Sequence, residues 1–257
     1  MSAPTSPVPA ATILMLRDGT AGLEVFMVVR HHQIDFASGA LVFPGGKVDA
    51  GDSHVRRRCT GVDDADDVAL ALQVGAIREA FEECGVLLAR EAGKQDLVSA
   101  ARLLQLQPYR DALVKNEVSI SDFLHREDLV LACDLLQPFA HWVTPTMMPK
   151  RFDTWFYLAR APADHLAIHD GHESVDSVWI NPAAALSGAQ TGQYTVIFPT
   201  RLNIEMLGTS SSVDEAMTMA QARTIVPVLP WTEKRDDGVF LCIPAEAGYN
   251  ITEEKMG

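Results

Sequence analysis

Cysteine, aromatic rings and positive charge are all scarce in this chain. Four cysteines in 257 residues, Cys59, Cys84, Cys133 and Cys242, show no paired spacing. That excludes a disulfide framework and a cysteine-based zinc cluster. Reduced thiols in a cytoplasmic compartment are the simpler expectation. Against 34 acidic residues stand only 21 Lys and Arg, a net charge of −13. Such a balance disfavours binding to nucleic acid, which asks for a basic surface. No apolar run approaches the roughly 18 residues that cross a bilayer, so no membrane segment is expected. Residues 1–10 are rich in Ser, Thr and Pro and lack a basic start. They read as a disordered tail, not a signal peptide. The last residues, Glu254-Lys255-Met256-Gly257, carry no peroxisomal address. What is present is a composition 47% hydrophobic and 21% charged, enough for the core of one large domain.

The most informative stretch is Arg78-Glu79-Ala80-Phe81-Glu82-Glu83-Cys84-Gly85-Val86. On a helix, spacings of three and four gather Glu79, Glu82 and Glu83 on one side. Like charges this close destabilise a helix unless a cation sits among them. Hard divalent ions prefer carboxylate oxygens, so Mg2+ (or Mn2+) is the expected occupant. The plainer alternative is a solvated acidic face. Arg78 lies four residues before Glu82 and is placed to hold one carboxylate.

Upstream, Phe43-Pro44-Gly45-Gly46 follows the apolar run Ala40-Leu41-Val42. A glycine pair after proline marks a tight turn where backbone approaches a ligand. Strand, glycine turn and acidic helix together resemble the Nudix hydrolase box. That family's pattern runs from a glycine, through a glutamate, to Arg-Glu-x-x-Glu-Glu-x-Gly. The second half matches residues 78–86, and the first half starts at Gly46. Asp52 stands where the family has Glu, either as a structural partner of Arg78 or as a further metal group. Residues 53–77 number 25, where the family has seven. A long insertion in the box is similar to the peroxisomal coenzyme A diphosphatase (RP2-type) branch. Arg30, Gly39 and the 43–46 turn also fit that branch's spacing, although His31 and Asp35 replace a Ser and an Arg of its pattern.

The insertion holds Arg56-Arg57-Arg58 and the acidic cluster 63–67. The triplet either touches a phosphate or lies in a solvated loop, and the loop is the favoured reading. The acids suit a helix start, which predicts a helix over 66–90. Strands are predicted at 12–16 and 24–30 around an Asp18-Gly19 turn, and helices at 95–115 and 119–136. Strands at 139–143 and 154–159, helices from Pro182 and Pro199, and a hairpin around Asp236-Asp237-Gly238 complete the chain. The resulting fold class is α/β: a Nudix α/β/α sandwich with a mixed sheet plus an inserted helical subdomain. Residues 11–210 form the Nudix domain, with 53–70 inserted in the box and 95–136 as added helices. Residues 211–257 form a C-terminal extension.

The resemblance implies an enzyme that cleaves a diphosphate linkage in a nucleoside diphosphate derivative. Coenzyme A or acyl-CoA leads, giving 3',5'-ADP and 4'-phosphopantetheine. ADP-ribose, an NADH-type dinucleotide, or a non-catalytic nucleotide-binding regulator are the alternatives. It implies Glu82, Glu83 and the Gly46 carbonyl as metal ligands, with Glu79 binding metal or holding the water. Catalytic roles fall on Glu79, Glu83, Arg78 and Glu173, the last from a later loop, with His172 beside it a bystander. Gly45, Gly46, Arg30 and Arg151 are the candidate substrate contacts, with Lys150 beside them and His31 and His32 following Arg30. Trp142, Phe152 and Trp155 either stack on adenine or pack the core. A small-molecule diphosphate is the expected partner. A homodimer is left open, with the terminal hairpin as its pairing element.

Overall fold

The computed structural model describes residues 5–30, 40–165, 167 and 174–256. Two strands open the chain, β1 (Val8–Gly19) and β2 (Gly22–Arg30), paired antiparallel. Their turn falls at Thr20 and Ala21, two residues later than the sequence suggested. Asp18 stays in the ladder opposite Leu23, and its carboxylate accepts the Val213 N–H at 2.9 Å. Pairing with a later strand also draws Val8 to Ala10 into β1, so the segment expected to be a tail is strand from Val8 onward.

The short strands β3 (Leu41–Val42) and β4 (Gly45–Lys47) follow, then a 3-10 segment, Asp52–Arg58. Next comes α1 (Asp67–Cys84). Asp66 caps its start, its carboxylate accepting the Ala69 N–H at 2.8 Å. The helix ends sooner than the predicted 66–90. Gly85 adopts φ +68, a left-handed cap that Gly reaches without strain. Beyond it β5 (Ala89–Glu91) pairs with β6 (Leu129–Leu131).

Between these strands lie α2 (Ala100–Leu106), α3 (Pro108–Val114) and α4 (Ile120–Arg126). Pro108 breaks the predicted long helix, because proline starts a helix more readily than it continues one. Asp128 at φ 51 ends the next one, so 129–136 is not helical as predicted but strand and a short 3-10 turn. After them come β7 (Gln137–Val143), β8 (Phe152–Arg160), β9 (Ser174–Ile180), α5 (Pro182–Gln190), α6 (Phe198–Leu207) and α7 (Val213–Ala222). The strands β10 (Trp231–Arg235), β11 (Gly238–Cys242) and β12 (Glu253–Lys255) form a separate small sheet.

The main sheet is mixed, in the order β3-β2-β1-β8-β7, with β4 also on β1 and β9 also on β2. Only β1 and β8 run parallel among these pairs. Both faces of β1 are covered, which explains why nearly every residue of its middle is apolar. Ala11, Ile13 and Met15 face one core with α1, α2, α3 and α4. Leu14 and Leu16 face the other with α5, α6 and α7. The sheet is thus sandwiched between helical layers, and the added helices extend the α1 core. Val213, Ala216 and Ala220 of α7 belong to the same core as Leu14 and Leu16.

Candidate active site

The glycine bend and the end of α1 meet side by side. The Gly45 N–H donates to Glu83 Oε2 at 3.0 Å. A Cβ on Gly46 would lie 2.6 Å from the Glu79 carboxylate, and one on Gly45, at φ +156, would lie 2.4 Å from the Ala11 carbonyl oxygen. Both positions therefore need glycine, the first for the acid's approach and the second for the backbone's own path.

Arg78 stands behind the carboxylates with all five N–H groups engaged. Nε and Nη2 each donate at 3.1 Å to the two oxygens of Asp52. Nη1 reaches Glu79 at 2.9 Å and Glu82 at 3.2 Å, and Nη2 also donates to the Lys47 carbonyl at 2.7 Å. No donor is left for a substrate, so Arg78 orients acids. The group is buried: Asp52 is 0% exposed, Arg78 5%, and Glu82 and Glu83 8% each. Burial works against the Arg78 charge, but the field of Glu79, Asp52 and Glu82 outweighs it and holds the guanidinium protonated well above its ordinary range. Burial pushes the Glu82 carboxyl up, opposed by Arg78. It does the same at Asp52 against the Arg78 hydrogen bonds.

Arg78, Glu79, Glu82 and Glu83 floor a cavity of about 800 Å³, with Asp49 and the cations Lys47 and Lys150 also on its walls. Its mouth carries the apolar side chains Val114, Met147, Met148 and Met256, each at least 39% exposed, beside the exposed polar residues Asn116 and Lys150. Trp142, Phe152 and Phe198 form further walls. Phe198 was missed in the sequence, where its position at the start of α6 gave no cue.

One expected substrate contact is corrected. Arg151 is buried and turned away from the cavity: Nε donates to the Thr144 carbonyl at 3.0 Å and Nη1 to that of Thr5 at 2.7 Å. It pins the start of the chain, and the neighbouring Lys150 lines the cavity instead. Trp155 stacks on His141 with ring centres 4.5 Å apart and does not line the cavity. The basic triplet stays outside too: Arg56 bonds the Val62 carbonyl at 2.8 Å and Arg58 pairs with Asp128 at 2.6 Å. Glu173, His172, His31 and His32 lie outside the described residues, as does the side chain of Arg30.

Among the described residues, no three His, Cys, Asp or Glu side chains converge as a ready-made metal cage. Glu79 and Glu82 turn toward Arg78, and Glu83 toward the Gly45 N–H. The donor set nonetheless fits Mg2+, which keeps several waters and needs only one or two protein carboxylates. Charge points the same way. Asp49, Glu79, Glu82 and Glu83 line the cavity against Lys47, Lys150 and Arg78, and the Arg78 guanidinium is also shared with Asp52, which leaves the described lining with an excess of acid.

The model of the NUDT19 Nudix domain family matches residues 56–203. The chain belongs to this family and is a Nudix hydrolase. It is 30% identical to a NUDIX hydrolase from Alicyclobacillus acidocaldarius, whose crystal structure superposes with a TM-score of 0.72 over 83% of this chain and 96% of that one. It is also 28% identical to a nudix hydrolase 7 of Caenorhabditis elegans over 73% of this chain, but spans only 56% of that relative. The acyl-coenzyme A diphosphatase NUDT19 of Xenopus laevis is 21% identical over 93% of this chain and 76% of its own length.

Proposed function

We propose that the chain is a divalent-metal-dependent diphosphatase acting on coenzyme A or an acyl-CoA, releasing 3',5'-ADP and 4'-phosphopantetheine or its acyl ester. One observation carries this reading. Glu79 and Glu83 are held against the Gly45-Gly46 bend at the floor of a cavity whose mouth carries Val114, Met147, Met148 and Met256 together with the cation Lys150. The floor suits a diphosphate, and the mouth suits a long thiol-bearing arm. The similarity to acyl-coenzyme A diphosphatases supports the same choice.

Diphosphate hydrolysis brings water to a phosphorus shielded by negative oxygens. When bound, a Mg2+ or Mn2+ ion neutralises that charge and makes water easier to deprotonate. Glu79, Glu82, Glu83 and the Gly46 carbonyl are the groups that would hold it. The remaining work falls to the chain. Glu79 or Glu83 takes the proton of the attacking water, a contribution typically worth about 10²–10⁴ in rate. Glu173 is the other acid proposed for that role. Arg78 keeps the acids apart and aimed. Lys47 and Lys150 bring positive charge toward the phosphates, and Trp142 or Phe152 offers a face for the adenine ring. The free cysteines favour a reducing, cytoplasmic compartment.

A substrate panel with Mg2+ tests the reading. The expected result is turnover of coenzyme A and acyl-CoA well above that of ADP-ribose and NADH. Turnover of ADP-ribose or NADH alone would replace it with a dinucleotide or sugar-nucleotide pyrophosphatase.

A further inference from the structure

The last turn of a helix leaves carbonyls without helical partners. At the end of α1 the Phe81 carbonyl is taken by the Gly85 N–H at 2.9 Å and that of Ala80 by the Val86 N–H at 3.3 Å. The Glu82 carbonyl is met from another element. Arg110, on α3, donates to it twice, from Nε at 3.2 Å and Nη2 at 3.0 Å. Its guanidinium packs so close that a Cβ on Gly85 would lie 3.0 Å from Nη1. A cation here also complements the negative end of the α1 dipole.

The same short helix reaches the cavity. One turn beyond Arg110, Leu113 and Val114 line its wall. Behind α3, Tyr109 packs on Phe123 with ring centres 4.8 Å apart, and Phe123 stacks on Phe81 of α1 at 5.6 Å. The added helices are therefore fastened to the one turn that carries Glu82 and Glu83.

We propose that Arg110 is a positioning residue: by clamping the Glu82 carbonyl it sets the two glutamates for a divalent cation and ties that setting to the cavity wall formed by α3. The proposal rests on the metal-dependent reading given above. Arg110 touches neither substrate nor ion. It acts through the backbone of Glu82.

The test is Mn2+ binding to the full chain, followed by the signal of free Mn2+ in electron paramagnetic resonance. Wild type, Arg110→Ala, Arg110→Lys and Tyr109→Phe are compared, each with a thermal melt. Outer-shell supports of this kind typically change metal affinity by about 10–100-fold. Arg110→Ala is expected to weaken Mn2+ binding on the order of tenfold, and Arg110→Lys by less, since it keeps a cation and one donor. Tyr109→Phe removes the 2.6 Å bond to Glu127 and is expected to lower the melting temperature without changing Mn2+ affinity. Should Arg110→Ala fail to fold, Arg110→Lys against Tyr109→Phe decides. Wild-type affinity in the Arg110 variants, or an equal loss in Tyr109→Phe, overturns the proposal alone. Absence of Mn2+ binding in the wild type overturns it together with the metal-dependent reading.

Discussion

Arg78 grips Asp52 at two points, Nε to Oδ1 and Nη2 to Oδ2, each at 3.1 Å. The two residues flank the insertion in the box, so this pair closes the motif that the inserted residues open. Removing one partner of a buried pair strands the other's charge, at a typical cost of about 3–5 kcal/mol. Asp52→Ala is expected to lose about 3 kcal/mol, because Glu79 and Glu82 still neutralise Arg78. Urea unfolding measures this. A loss near zero would mean the pair is not what holds the box together.

The two glycines of the bend fail differently. In Gly46→Ala the new methyl meets first the end of the Glu79 side chain, which swings aside. The fold is kept, and turnover falls on the order of 10²-fold through the displaced acid. In Gly45→Ala the methyl meets the Ala11 backbone at a positive φ, so stability falls first. Melting curves alongside rates separate the two. A Gly46→Ala variant with full activity would remove Glu79 from the chemistry.

Lys150 and Arg151 are adjacent but serve different ends. Arg151→Ala unties Thr5 and Thr144 and is expected to cost about 2 kcal/mol of stability, with kcat/KM little changed once folded. Lys150→Ala leaves stability within about 0.5 kcal/mol, as surface changes usually do, and raises KM. Steady-state kinetics and unfolding of both variants check this, and the reverse pattern would return Arg151 to the substrate.

The Tyr249 hydroxyl accepts from Trp142 Nε1 at 2.7 Å and donates to Asn203 Oδ1 at 2.8 Å. Burial pushes its pKa from 10.0 up to about 12. The folded protein thus keeps a proton that the unfolded chain has already lost. The stability this lends is whole below pH 10 and is lost as pH rises toward 12. The stability difference between wild type and Tyr249→Phe should shrink across that window by on the order of 2 kcal/mol. A constant difference would contradict it.

The parts legible in the sequence were those set by local chemistry. The acidic run 78–86, the glycine pair and the cap at Asp66 each state a backbone requirement in a few residues. The partnership of Asp52 and Arg78 followed from aligning the two halves of the motif across the insertion. Long-range packing was not legible. Arg151 looked like a phosphate contact until two backbone carbonyls claimed it. The helix end at Gly85 was overrun because Val86, Leu87 and Leu88 continue an apolar pattern, yet lead into a strand. Arg110 carried no signal at all, since its partner is a carbonyl that every residue possesses.

The central claim is that the acidic turn beside the glycine bend hydrolyses a diphosphate with a divalent cation. Turnover of acyl-CoA against Mg2+ concentration, in wild type and Glu83→Gln, tests it most directly. The account predicts Mg2+-dependent turnover in the wild type and a loss of at least about 10²-fold in a folded Glu83→Gln variant. Undiminished turnover in that variant, or turnover indifferent to Mg2+, would contradict it.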